Sequence, residues 1–344
     1  SKENLKKHVE SGTSFNTATG WMEVQNRIRK SNNRERMIKI LSYAAAVLVP
    51  VFFVGISLKY TTHDYFSNKS VLIAQPILPG AAKAILTLDN GETINLNKET
   101  ADALQTIEGT NIQIDSTTLN YQLAQSTSVS PKPVYNKVEI PRGGEYALVL
   151  SDGTKVHLNS MSSLRFPVAF TTGKREVELQ GEAYFEVSKT GQPFIVNANG
   201  IQVEVLGTTF NISAYPDEEY QTTLVNGSVK VSAEKGESLI LKPSQQATIA
   251  LGSNSIQVRT VDTSFYTSWV KGKINFKDQR LEDIMKTLSR WYDMNVVYEN
   301  EKLKNIRFGC NLNRYEEITP FVKLLEKTEE VHVKIEGNTI TFHN

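Results

Sequence analysis

The stretch from Ile40 to Leu58, ILSYAAAVLVPVFFVGISL, carries no charged residue and lies between Lys39 and Lys59. At about 1.5 Å of rise per helical residue it spans roughly 28 Å, close to the ~30 Å apolar thickness of a bilayer. The run therefore predicts a membrane helix, set at 37–59 with its flanks. A signal peptide would place a shorter apolar core near the chain start and follow it with a small-residue cleavage site, which VGISLKY does not offer. A helix apolar on every face is also foreign to a soluble domain of this size. Arg27, Arg29, Lys30, Arg34, Arg36 and Lys39 crowd the N-terminal side, whereas only Lys59 and then Lys69 follow the run. By the positive-inside rule the head, 1–36, is cytoplasmic and the tail lies outside, which in a Gram-negative cell is the periplasm. The expected location is a bacterial inner membrane, crossed once.

A formal charge of +1 over 344 residues provides no global field for nucleic acid. The single cysteine, Cys310, cannot form an internal disulfide, so an exported tail must rest on its packed cores. In RFGCNL it reads as a small buried hydrophobe. Within the head, Trp21, Val24 and Ile28 fall on one face of a helix that runs into the basic segment. That face suits either docking of a cytoplasmic partner or a juxtamembrane helix with Trp21 at the headgroups.

Beyond the span, 60–75 reads as a polar tether, and strand patterns then dominate 76–268. LPGAAKAILTLDNGETINLN (78–97) and IPRGGEYALVLSDGTKVHLN (140–159) align without a gap at an offset of 62, a repeated β-hairpin turning at Asn-Gly and Asp-Gly. In REVELQGEAYFEV, Val177, Leu179, Ala183, Phe185 and Val187 alternate with Glu176, Glu178, Gln180, Glu182, Tyr184 and Glu186. Acids two apart on one strand point the same way instead of flanking a bond, so they read as a solvated face and not as a glycosidase pair. The apolar phase is odd at Ile201, Val203 and Val205 and even at Phe210, Ile212 and Ala214, which requires a bulge or turn at Leu206-Gly207. Short strands with regular turns predict an all-β unit, as a sandwich or a solenoid.

From 269 to 344 the pattern changes to β-α-β-β-α-β-β, a small α+β domain. Leu281, Ile284, Leu288 and Trp291 form a helical stripe with Asp278 as the expected N-cap; Pro320 belongs in the first turn of a second helix with Thr319 as one possible cap; a hairpin turns at Glu336-Gly337-Asn338. No phosphate loop, dinucleotide fingerprint, H-E-x-x-H or G-x-S-x-G occurs. His8, His63, His157, His332 and His343 form no ligand pair at helical spacing. Catalytic, cofactor and metal residues are therefore all assigned as none.

PRGGEYALVLSDGTKVHLNSMSSLRFPVAF, REVELQGEAYFEVSK, PFIVNANGIQVEVLGTTFNISAYPDE, TTLVNGSVKV and LKPSQQATI resemble, in this order, the runs of FecR-like transmembrane anti-sigma regulators, especially those of Bacteroidota. LEDIMKTLSRWYDMNVVYEN with IRFGCNLNRYEEI resembles their C-terminal domain, which is similar to the short N-terminal signalling domain of secretins and TonB-dependent transducers. The resemblance implies a relay without catalysis. A TonB-dependent outer-membrane transporter of the SusC or FecA type presents its periplasmic signalling domain to the tail, and the head releases or activates an extracytoplasmic-function (ECF) sigma factor. Periplasmic and intramembrane proteases are implied as further partners, and Pro50 and Gly55 would weaken the span locally. The expected sigma contacts are Trp21, Val24 and Ile28. Those for the transporter are Trp291 and Tyr292, set against the alternative that a Trp on a helical stripe belongs to the core. A free strand edge in the C-terminal domain is a further means of docking. Two departures stand out: only WMEVQNRIRK of the family's longer head is present, and Ser244 stands in LKPSQQA where the family often has Gly. The competing function is an anchored periplasmic carbohydrate-binding or hydrolytic module.

Overall fold

The structure, a computed structural model, describes residues 77–96, 103–107, 110–115, 117–121, 133–171, 173–234 and 236–344. The head with Trp21, Val24 and Ile28, the apolar run with Pro50 and Gly55, and the tether up to residue 76 lie outside the described residues. Among the described residues no helix is long and apolar enough to cross a membrane.

Both copies of the repeat fold as hairpins with the same turn. Ala84–Thr87 pairs with Thr93–Leu96, and Gly144–Val149 with Lys155–Leu158. In the first copy Gly91 N donates to Leu88 O and Leu88 N to Glu92 O; in the second Gly153 N donates to Leu150 O and Leu150 N to Thr154 O. Asn90 Oδ1 accepts from Glu92 N at 2.8 Å, and Asp152 Oδ1 from Thr154 N at 2.9 Å. Gly91 and Gly153 sit at φ +85° and +82°, which a Cβ disfavours. Corresponding residues are buried: Leu86 with Leu148, Leu88 with Leu150, Leu96 with Leu158. The copies differ where Asp replaces Asn, because Asp152 also holds the buried Arg175 at 2.6 Å. The strand Ala81–Ala82, leading the first copy, runs parallel to Gly144–Val149 of the second.

Arg175–Glu186 organises the sandwich. Its first half pairs with Ser163–Pro167 and Phe194–Ala198, and its second half, from Gly181, with Lys155–Leu158 and Thr209–Ala214. One strand therefore belongs to two sheets. Gly181 makes the transition at φ +85°, where a Cβ would lie 2.7 Å from Ser162 Cα. After it the hairpins are dealt alternately. Phe194–Ala198 with Ile201–Val205 and Val229–Ser232 with Ser238–Leu241 extend the first sheet; Thr209–Ala214 with Tyr220–Asn226 and Gln245–Ile249 with Gln257–Thr260 extend the second. This combines the two alternatives left open by the sequence: two sheets face one apolar core, and the chain lengthens them in turn as a solenoid would. The phase change at Leu206-Gly207 is the crossing from one sheet to the other, after which even-numbered residues face the same core. Phe185 and Phe210 stack at its centre, 5.0 Å between ring centroids.

The elements from 273 onward follow the expected order. Lys273–Arg280 pairs with Arg307–Asn313 in a two-stranded sheet; Asn295–Tyr298, Thr339–His343 and His332–Glu336 form a three-stranded one, in that spatial order. The helices α1 (Leu281–Trp291) and α2 (Thr319–Glu326) send Leu281, Ile284, Met285 and Leu288, and Phe321, Val322 and Leu325, into a core shared with both sheets. The expected cap at Asp278 is corrected. Asp278 sits at φ +50° in a bulge between Phe276 and Gln279, and its carboxylate faces Arg307. Pairing resumes at Gln279 and Arg280, so the helix begins only at Leu281, with Arg280 at the cap position and no side-chain cap. Glu282 and Asp283 instead complement the positive end of its dipole. Pro320 lies in the first turn of α2 as expected, but Thr319 is already helical and Ile318 holds the cap position.

Candidate functional site

The sandwich and the C-terminal part belong to one compact unit, Val71–Asn344, and meet through a polar joint. Arg314 follows the Arg307–Asn313 strand and is 1% exposed. Its guanidinium lies 3.7 Å from the centroid of the Trp291 ring and 5.3 Å from that of Trp269, its Nη2 donates to Asn159 Oδ1 at 2.7 Å, and Glu145 Oε2 is 3.3 Å away. Trp291 Nε1 donates to the Arg314 carbonyl. Burial draws the guanidinium below its ordinary pKa while Glu145 opposes the shift; an arginine so placed keeps its charge, held by a carboxylate and two indole faces.

Next to it lies Glu182. Its Oε2 accepts from Asn159 Nδ2 at 2.7 Å and its Oε1 from Asn211 Nδ2 at 3.0 Å; Asn211 Oδ1 in turn accepts from Trp269 Nε1 at 3.2 Å. Burial raises the carboxyl above the usual carboxylate range, against the two amide hydrogen bonds and the charges of Arg290 and Arg314. The expectation of a solvated face is thus corrected at this position: Glu176, Glu178 and Glu186 are exposed, but Glu182 is half-buried beneath the C-terminal part. Arg290, near the end of α1, pairs with Glu218 and lies 3.9 Å from the centroid of the Tyr215 ring. The sandwich contributes Glu145, Glu182 and Glu218, the C-terminal part Arg290 and Arg314. The joint is therefore complementary in charge.

A cleft of about 710 Å³ opens beside this joint, lined by Asn211, Glu182, Arg259, Trp269 and Arg290 among others. Within it Asn211 donates to Glu182, and Arg290 pairs with Glu218. Among the described residues no group of three or more His, Cys, Asp or Glu could hold a metal ion. Cys310 is half-buried in the Arg307–Asn313 strand, and burial pushes its thiol up to about 11, far from a reactive thiolate.

The expected transporter contacts are both buried. Trp291 is 2% exposed and supports Arg314; Tyr292 is 5% exposed and donates to the Glu316 carbonyl at 2.8 Å. Neither side chain is at the surface, and the core alternative for Trp291 describes its place. What the surface offers instead is unpaired backbone. Among the described residues, Arg307–Asn313, Asn295–Tyr298 and His332–Glu336 each pair along one edge only. The sequence missed Arg314, Arg290 and the two asparagines because their partners lie far away along the chain, 155 positions in the case of Arg314 and Asn159.

Residues 136–230 match the family FecR protein and residues 273–342 the family FecR, C-terminal. The chain is FecR-like in both of its folded parts. A crystal structure of a "putative anti-sigma factor" from Parabacteroides distasonis ATCC 8503 superposes with a TM-score of 0.56 at 26% identity, covering 60% of this chain and 98% of that one. A second structure described in the same words, from the same organism, gives 0.56 at 25% identity over 61% and 99%. No curated protein matches.

Proposed function

We propose that this chain is an anti-sigma regulator that relays a signal from a TonB-dependent, SusC- or FecA-like outer-membrane transporter to a cytoplasmic ECF sigma factor, without catalysis of its own. The observation that carries the reading is the FecR likeness of both folded parts, together with the overlay on nearly the whole length of a chain described as a "putative anti-sigma factor". In this reading 1–36 is the sigma-binding head, with Trp21, Val24 and Ile28 as its contact face; 37–59 spans the inner membrane; 60–75 is a periplasmic tether; 76–268 is the FecR-like domain and 269–344 the sensing domain. Periplasmic and intramembrane proteases are the agents that could act on it.

The transporter's signalling domain would add a strand to the free edge of Arg307–Asn313, a seven-residue strand whose one paired edge is taken by Lys273–Arg280. Such pairing draws its affinity from main-chain hydrogen bonds and needs no exposed aromatic platform. Pull-down of the solubilised full-length chain should recover a sigma factor and a transporter signalling domain. Recovery of neither, with direct glycan binding by the same chain, would establish the carbohydrate-binding alternative instead.

A further inference from the structure

Residues 77–83 run between the two folded parts. Ile77 is 6% exposed and belongs to the apolar core of the C-terminal part, although it precedes the whole sandwich in sequence, while its neighbour Leu78 is 61% exposed. Gly80 passes so close to α1 that a Cβ would stand 2.7 Å from Trp291 Cε3 and 2.7 Å from the Gly143 carbonyl oxygen. From there the chain joins the sandwich: Ala81 N donates to Gly143 O at 2.9 Å and Lys83 N to Glu145 O at 3.2 Å. The turn that receives these bonds is itself tied to the end of α1. Gly143 N donates to Arg290 O at 2.7 Å, and Arg142 donates to Ser289 O at 3.1 Å and also to Met294 O. Segment, turn and helix end form one interlocked stack.

We propose that 77–83 is a tongue seated by the C-terminal part, so that moving α1 away from the sandwich frees the stretch of chain that leads to the predicted tether. Two features point to a seat made for this segment. Ile77 completes a core it is not contiguous with, and Gly80 allows an approach to Trp291 that any side chain would prevent. Because the coupling is a free energy shared by two events, it acts in both directions: displacing α1 loosens the tongue, and drawing the tongue out loosens α1. The inference deepens the relay proposed above, on which it rests only for the direction of the signal.

Hydrogen exchange on the solubilised full-length chain tests it without any partner, so its failure and that of the relay are separable. Ile77→Ala withdraws a side chain from the C-terminal core and leaves the sandwich core intact; exchange in 281–292 should quicken about tenfold while 194–226 stays unchanged. Leu288→Ala loosens α1 from within and should quicken exchange in 77–83 by a similar factor. Unchanged exchange in 77–83 when Leu288→Ala has loosened 281–292 would overturn the proposal. So would unchanged exchange in 281–292 on Ile77→Ala, or an equal acceleration in 194–226, which would mean that the segment follows global stability alone.

Discussion

Arg314 and Asn159, 155 positions apart in sequence, meet in a 2.7 Å hydrogen bond between the C-terminal part and the sandwich. The asparagine is shared. Its carbonyl oxygen accepts from Arg314 and its amide donates to Glu182, so one short side chain links a guanidinium to a carboxylate across the joint.

Arg314→Ala would leave Glu145 and the Asn159 oxygen facing two uncovered indoles. Removing one member of a buried charged pair typically costs ~3–5 kcal/mol, and the partly solvated Glu145 places this case at the lower end. Arg314→Lys keeps the charge but loses the planar fork that stacks and donates together, so it should restore only part of the loss. Denaturant unfolding followed by the fluorescence of Trp269 and Trp291 measures both; an Arg314→Lys chain as stable as the unaltered one would contradict this account.

Glu182 makes the joint sensitive to pH. Its folded-state pKa is raised above the ordinary value of 4.5, so between that value and the raised one the folded state binds more protons than the unfolded state. Stability from this group is therefore fully present below the ordinary value and is lost as pH rises through the folded-state pKa. Glu182→Gln should lack this dependence, and its melting temperature relative to the unaltered chain should climb from acid to neutral pH. His157, whose pKa burial lowers, is present in both chains and cancels in the comparison. Parallel melting curves across the range would show that the carboxylate is not confined as described.

Ser244 occupies φ +65° in the turn that leads into Gln245–Ile249, a conformation that costs an L-residue roughly 1–2 kcal/mol and a glycine almost nothing. It is exposed, and the turn's hydrogen bonds are made by its main chain: its N–H donates to Leu224 O and its carbonyl accepts from Val261 N. Ser244→Gly should therefore stabilise the sandwich by up to about 1 kcal/mol, after the greater freedom of glycine in the unfolded chain is set against it. Thermal unfolding provides the measurement, and a lower melting temperature would refute it.

The Cys310 thiol, pushed up to about 11 from an ordinary 9.0, should react with a soluble disulfide reagent near pH 8 about a hundredfold more slowly in the folded chain than in denaturant. Equal rates in the two states would mean that the Arg307–Asn313 strand leaves the sulfur open to water.

Local pattern carried much of the fold. The two hairpin turns, the alternation along Arg175–Glu186, the stripe of α1 and the order of elements after 273 all depend on patterns within a single hairpin, strand or helix, and each is found where the pattern puts it. The joint depends on contacts that no local pattern encodes. Glu182 shares its face with exposed glutamates and is distinguished from them only by what lies over it. Asp278 has the residue type of a helix cap, but strand pairing continues past it, and a hydrogen-bonded ladder outweighs a single cap. Trp291 fits the helical stripe, yet its ring lies close against Gly80 and also under the Arg314 guanidinium, two contacts that periodicity does not separate.

Because Arg175–Glu186 is hydrogen-bonded into both sheets, neither layer can slide over the other without breaking a ladder. The main chain of that one strand is thus a covalent bridge between the layers, and a force applied to either sheet reaches the other through its backbone as well as through side-chain packing.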